Sequence, residues 1–206
     1  MTPRHMRLVF LHGVFLVSGF TAVVYQLIWQ RALVTLYGAN TETVTVVVTA
    51  FMLGLGVGSL SGGQLSRTAR SLPGMFAALE FGVGVFGLAS LPLFSWVNGW
   101  TVDAPPVIGG LVVFLLLLVP TAFMGATLPI LIAHAAKQAD SVGRAVGSLY
   151  AINALGSAIG AGAAIVLIFG ALGQQRAVLL AVTLNFLVAT AAMWLARPQA
   201  ERRVAR

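Results

Sequence analysis

The sequence predicts an all-α integral membrane protein of about six transmembrane helices, with both termini in the cytoplasm. Three observations carry that expectation: an apolar composition, six apolar runs of spanning length, and a one-sided distribution of Lys and Arg. Of 206 residues, 59% are hydrophobic and only 8% are charged, with a mean hydropathy of +0.96. A water-soluble domain carries about 25% charged residues, and this chain has too little polar surface to cover a core in water. Each crossing needs about 20 apolar residues. The length therefore suits one membrane domain, residues 1–197, followed by a short basic tail, residues 198–206.

The spans follow in order. The first runs from Leu8 to Gln30. Its basic start, Met1–Arg7, imitates a signal peptide, but the apolar run is too long for an h-region and holds no convincing cleavage site. It reads as a retained helix. The second span covers Thr43–Leu65 and leads into a basic loop with Arg67, Arg70 and Pro73. The third covers Gly74–Val97, and Asn98–Pro106 reads as a polar turn. The fourth, Val107–Ala136, is interrupted by Pro120 and Pro129. A loop over Lys137–Gly143, a fifth span over Arg144–Phe169, a turn over Gly170–Gln174 and a sixth span over Gln175–Leu195 complete the domain.

Orientation comes from charge. Arg4, Arg7, Arg67, Arg70, Lys137, Arg144, Arg197, Arg202, Arg203 and Arg206 fall on one side of these spans, and only Arg31 and Arg176 on the other. Basic residues near span ends mark the cytoplasmic side, and six spans return the chain to it. The net charge of +7 is thus a topology signal rather than a nucleic-acid footprint. With no cysteine, disulfides, thiolate nucleophiles and Cys-ligated metals are excluded. His5, His12 and His134 have no metal-ligand spacing, so no cofactor or metal is expected and no catalytic constellation forms.

Glycine patterns the interior. Gly54, Gly58 and Gly62 repeat every four residues in the second span, with Gly56 and Gly63 beside them; Gly143, Gly147, Gly156 and Gly160 do the same in the fifth. Small residues at i and i+4 form a groove into which another helix fits closely. The two ridges occupy matching places in a three-plus-three division, which suggests an inverted repeat. Gly82-Val-Gly84-Val-Phe-Gly87 matches the dinucleotide fingerprint in letters, yet that chemistry needs a preceding strand and a helix N-terminus. Inside an apolar span these glycines read as helix packing.

Several polar residues within the spans are candidate functional positions. Glu80 lies about 10 Å deep in the third span by helical rise, and an intramembrane carboxylate is costly. Either it serves a proton- or cation-linked site, or it pairs with a rim base such as Arg67, Arg70 or Arg144. Tyr25, Gln26, Trp29 and Arg31 form a polar-aromatic end to the first span. Trp29 and Arg31 read as aromatic-belt and snorkelling anchors, while Tyr25 and Gln26 could bind a solute. Pro120 and Pro129, flanking Thr121, Gly125 and Thr127, should kink or break the fourth span, with the threonine hydroxyls relieving freed carbonyls. Tyr150 and Asn153 lie one turn apart, and a buried Asn there would bridge two helices.

Four stretches, in order, carry a resemblance: Ser18-Gly-Phe-Thr-Ala-Val-Val-Tyr25-Gln-Leu-Ile-Trp29-Gln-Arg31, Ala50-Phe-Met-Leu-Gly54-Leu-Gly-Val-Gly58-Ser59, Pro120-Thr-Ala-Phe-Met-Gly125-Ala-Thr-Leu-Pro129 and Gly147-Ser-Leu-Tyr150-Ala-Ile-Asn153-Ala-Leu-Gly156. Together they resemble the membrane domain of bacterial spermidine-synthase-like proteins, the fused major-facilitator/spermidine synthase group. The resemblance implies a bacterial inner-membrane protein with six helices like half of a major-facilitator fold, normally followed by a cytoplasmic aminopropyltransferase domain. Gln26 stands where many relatives have Glu, and Gln64-Leu-Ser-Arg67 replaces an acidic loop. The glycine-rich nucleotide loop and acidic catalytic residues of the synthase have no counterpart up to Arg206.

Two functions follow as expectations. One is a non-catalytic membrane module that anchors or scaffolds a protein partner, either a separately encoded synthase-like enzyme or a larger membrane complex, or a copy of itself, through its glycine grooves. The other is transport of a small solute, a polyamine or other cation, as a dimer or with a partner half, with Glu80 as the cation contact.

Overall fold

The computed structural model describes residues 3–137 and 141–196. The basic tail and its arginines, the side chains of Arg4 and Arg7, and part of the loop after Lys137 lie outside the described residues. Six long helices occur: α1 Pro3–Tyr37, α2 Thr41–Thr68, α3 Leu72–Thr101, α4 Pro106–Ala136, α5 Val142–Ala171 and α6 Gly173–Ala196. All six are long and apolar enough to cross a membrane, so this is a multi-pass membrane protein by length and composition. No strand occurs among the described residues.

Local chemistry sets the helix ends. Asn40 caps α2 by accepting the backbone N–H of Thr43 at 2.8 Å. Ser71 does the same for α3 through Gly74 at 3.2 Å. Such caps satisfy donors that the first turn leaves orphaned. Between α1 and α2 the chain turns at Gly38, whose φ of 97° suits a residue without a Cβ. Gly173, φ 69°, does the same between α5 and α6.

Two expectations about helix ends are corrected. The first span does not stop near Gln30; α1 continues to Tyr37, because nothing before Gly38 breaks it and the polar Gln30 and Arg31 are tolerated on a helix. Likewise α3 runs through Asn98 to Thr101. The prolines of the fourth span do not break it: Pro120 and Pro129 lie inside one continuous α4. The Thr121 hydroxyl bonds the Leu117 carbonyl at 2.7 Å and the Thr127 hydroxyl that of Met124 at 2.6 Å. Neither reaches Leu116 or Gly125, whose carbonyls lie four residues before the prolines. The irregular stretch is instead in α5, where Ala164–Ile168 is a π-helical turn.

Helices associate in three main pairs, α2 with α4, α1 with α5 and α3 with α6; α3 also touches α4, and α1 touches α6. Exchanging α1 with α4, α2 with α5 and α3 with α6 maps the three main pairs onto themselves. Glycine makes two of these pairs close. A Cβ on Gly58 would run into the Ala122 backbone, and one on Gly54 into Thr121. At Gly62 the obstacles are the Ala126 backbone and Pro129. Gly125 answers from α4 against the Leu55 backbone. In the other pair Gly156 meets the Leu16 backbone and Gly160 that of Phe20. With lipid outside, close backbone approach and dispersion supply the attraction that water would otherwise provide. A Cβ on Gly56, Gly63, Gly143 or Gly147 would meet no neighbouring helix among the described residues within 4 Å, so these glycines take no part in the close contacts. The fingerprint glycines pack as helix residues: Gly82 on Phe123, Gly84 on Phe186 and Gly87 on Tyr25.

The core has two buried clusters stacked along the bundle. One holds Leu11, Phe15, Phe76, Ile130 and Leu149 toward the end with the termini. The other holds Tyr25, Ile28, Trp29, Leu33, Phe51 and Leu117 toward the opposite, distal end.

Candidate functional site

The most polar buried point is Glu80, 2% exposed on α3. Its two carboxyl oxygens each have a donor. The Ser18 hydroxyl, from α1, donates to Oε1. Asn185 Nδ2, from α6, donates to Oε2 at 2.9 Å and to the Glu80 backbone carbonyl at 3.3 Å. The arginine partners expected for Glu80 are therefore replaced by a hydroxyl and an amide from two other helices. Asn185 is itself buried, and its Oδ1 has no partner among the described residues.

A cavity of about 340 Å³ surrounds this carboxylate and draws side chains from all six helices. Its polar lining includes Ser18, Thr21, Gln26, Asn153, Ser157 and Asn185. Phe15, Phe51, Val83, Met124 and Leu128 supply apolar wall. Its rim is exposed on α2 and α5, where Leu55, Ser59 and Tyr150 line it. Gly125 and Thr127 line it from α4, next to the close α2–α4 contact. Chemically it offers one carboxylate among hydroxyls and amides. Among the described residues no three His, Asp or Glu side chains come together.

The polar residues of the cavity also tie α5 to α1. Asn153 Nδ2 donates to the Phe15 carbonyl at 3.3 Å, and the Ser157 hydroxyl to that of Gly19 at 3.1 Å. The expected bridging role of Asn153 is thus what the geometry shows, and Tyr150, 63% exposed, stands beside it on the rim.

Of the first-helix candidates, Gln26 lines the cavity. Trp29 does not sit in an interfacial belt. It is fully buried, stacks on Tyr25 at 5.0 Å and meets Phe51, Phe86 and Phe94 at centroid distances of 5.9, 5.2 and 6.4 Å. The reason is the length of α1: eight further residues follow Trp29 before the helix ends, so it lies at depth. Arg31 keeps an exposed position, with its guanidinium 5.2 Å from the centre of the Phe169 ring. Pro120 is buried in α4, and Pro129 packs near Gly62.

Sequence reasoning missed Ser18, Thr21, Ser157 and Asn185. A signal existed for Asn185, an amide inside the sixth apolar run, since polar groups at membrane depth are costly and usually matched. No protein-family model, no curated protein and no solved structure matches the chain.

Proposed function

We propose that this is a six-span protein of the bacterial cytoplasmic membrane, with both termini inside, that binds a small cationic solute at Glu80 and moves it across. One observation carries the reading. A carboxylate is held in the middle of the bundle, oriented by Ser18 and Asn185, in a cavity large enough for a small organic cation. A buried carboxylate with no basic partner among the described residues favours a cation, since burial without a counter-charge is costly.

Of the glycines that motivated a scaffold, Gly54, Gly58, Gly62, Gly156 and Gly160 are occupied by helices of this same chain, whereas Gly56, Gly63, Gly143 and Gly147 meet open space; a scaffold would have to use those open positions. The resemblance to the membrane domain of spermidine-synthase-like proteins supports a half-transporter architecture. The pairing of α2 with α4 and α1 with α5 supports reading it as an inverted three-plus-three repeat. Six helices alone have no second body to rock against, so the transporting unit is a dimer or a complex with a partner half.

Proteoliposomes loaded with buffer should accumulate a labelled small cation, a polyamine or methylammonium, faster than protein-free vesicles. If a panel of small cations shows no protein-dependent uptake and no binding, the proposal fails. Orientation has its own check. With no native cysteine, Ala39→Cys should react with an impermeant maleimide added outside intact cells. Thr68→Cys should react only after permeabilisation; the reverse pattern rejects the assigned orientation.

A further inference from the structure

A second cavity, about 260 Å³, lies at the distal end of the bundle. It is stacked over the Glu80 cavity along four helices. On α1 the distal cavity takes Leu36 and Tyr37, where the central one takes residues from Phe15 to Gln26. On α2 it takes Glu42 to Val46, against Phe51 to Ser59. The same order holds on α3 and its C-terminal cap, with Asn98 to Val102 against Glu80 and Val83, and on α4, with Pro106 to Val113 against Met124 to Leu128. Between them lies the layer of Trp29, Leu33, Val47, Phe94 and Leu117, all buried. The two cavities share no lining residue.

The distal cavity presents acceptors. Asn98 lines the cavity, and its Oδ1, closed to solvent in the present orientation, has no partner among the described residues; a half-turn of the amide would bring this acceptor to a solute. Thr101 donates its only hydroxyl hydrogen to the Val97 carbonyl at 2.8 Å. Tyr37, 2.7 Å from the Thr101 hydroxyl, must therefore be the donor of that pair, which leaves the lone pairs of its Oη free to accept. Glu42 adds a carboxylate at the rim. None of the lining residues is basic, and Leu36, Val46 and Val113 add apolar wall.

We propose that this distal cavity is a second solute site, separate from the one at Glu80, that takes a small alkylammonium ion. The N–H groups of the ion would bond Asn98 Oδ1 and Tyr37 Oη, its charge would face Glu42, and its alkyl part would lie on Leu36, Val46 and Val113. The site stands on its own acceptors and does not require that the solute be transported.

Cysteine protection in detergent-solubilised full-length protein tests it. Val102, 60% exposed at the cavity rim, is changed to Cys in the cysteine-free chain, with Ala39→Cys in the neighbouring loop as control. The readout is the rate of methanethiosulfonate modification. Ethylammonium chloride at about 50 mM, roughly twice a dissociation constant of about 25 mM, should slow modification at Val102→Cys about threefold, measured against sodium chloride at equal ionic strength. Tetramethylammonium, with the same charge but no N–H, should not slow it, and Ala39→Cys should respond to neither. Asn98→Leu should remove the protection, and the rim change Glu42→Gln, which disturbs no packing, should weaken it. Glu80→Gln should preserve it. Equal slowing by tetramethylammonium, no slowing at all, or protection that survives both Asn98→Leu and Glu42→Gln would overturn the site. Protection lost on Glu80→Gln would overturn its separateness, whatever the uptake assays show.

Discussion

Glu80→Gln is expected to abolish cation capture while leaving the bundle folded. The substitution keeps the side chain's shape, and its amide oxygen can still accept from Ser18. The new amide N–H₂ would face Asn185 Nδ2, but rotation of the Asn185 amide offers its otherwise unpartnered Oδ1 instead. What disappears is the charge. Truncating one partner of a buried charge pair costs about 2–5 kcal/mol, so the apparent affinity for the solute should fall roughly thirtyfold or more. Glu80→Leu should go further and strand the donors of Ser18 and Asn185, at about 1–3 kcal/mol for each unpaired group. Size-exclusion profiles and thermal aggregation midpoints measured beside uptake separate the two effects. Unchanged uptake by a well-folded Glu80→Gln protein would remove the carboxylate from the mechanism.

Gly58→Leu should destabilise the protein more than any change on the lipid-facing side of α2. The first added carbon meets the Ala122 backbone, and backbone cannot rotate out of the way as a side chain can. Overpacking of this kind costs about 3 kcal/mol, because α2 and α4 must separate along a contact that also includes Gly54, Gly62 and Gly125. Gly56→Leu, one turn-face away with open space around it, should fall within about 0.5 kcal/mol of the parent. The comparison is a thermal aggregation midpoint in one detergent. Equal midpoints for the two variants would show that the ridge does not set the α2–α4 distance.

These two sites illustrate what was legible beforehand. The ridge at Gly54, Gly58 and Gly62 could be read because a four-residue repeat of small side chains has a helix contact as its physical purpose. The matching repeat at Gly143 and Gly147 misled, since letters alone do not say which side of a helix faces lipid. That same ambiguity hid Trp29. In water an amphipathic stripe marks the buried face, but in lipid the outward face is as apolar as the inward one, so aromatic belt and aromatic core look alike in the string. That Glu80 lies within an apolar span was legible in the sequence, and the structure adds that it is buried. Its partners were not legible, because Ser18 and Asn185 lie 62 and 105 residues away and become neighbours only through the pairing of α3 with α1 and α6.

The lengths of the helices carry a mechanical corollary. At about 1.5 Å per residue, the 35 residues of α1 and the 31 of α4 far exceed a hydrocarbon slab of about 30 Å. Such helices must lean or project into the headgroups. Joined backbone to backbone, α1 leans together with α5, and α4 together with α2. A thinner or thicker bilayer therefore tilts these two doubled rods, with α3 and α6 as a third pair, instead of six independent helices, and the width of the space between the rods becomes sensitive to the lipid chosen for reconstitution.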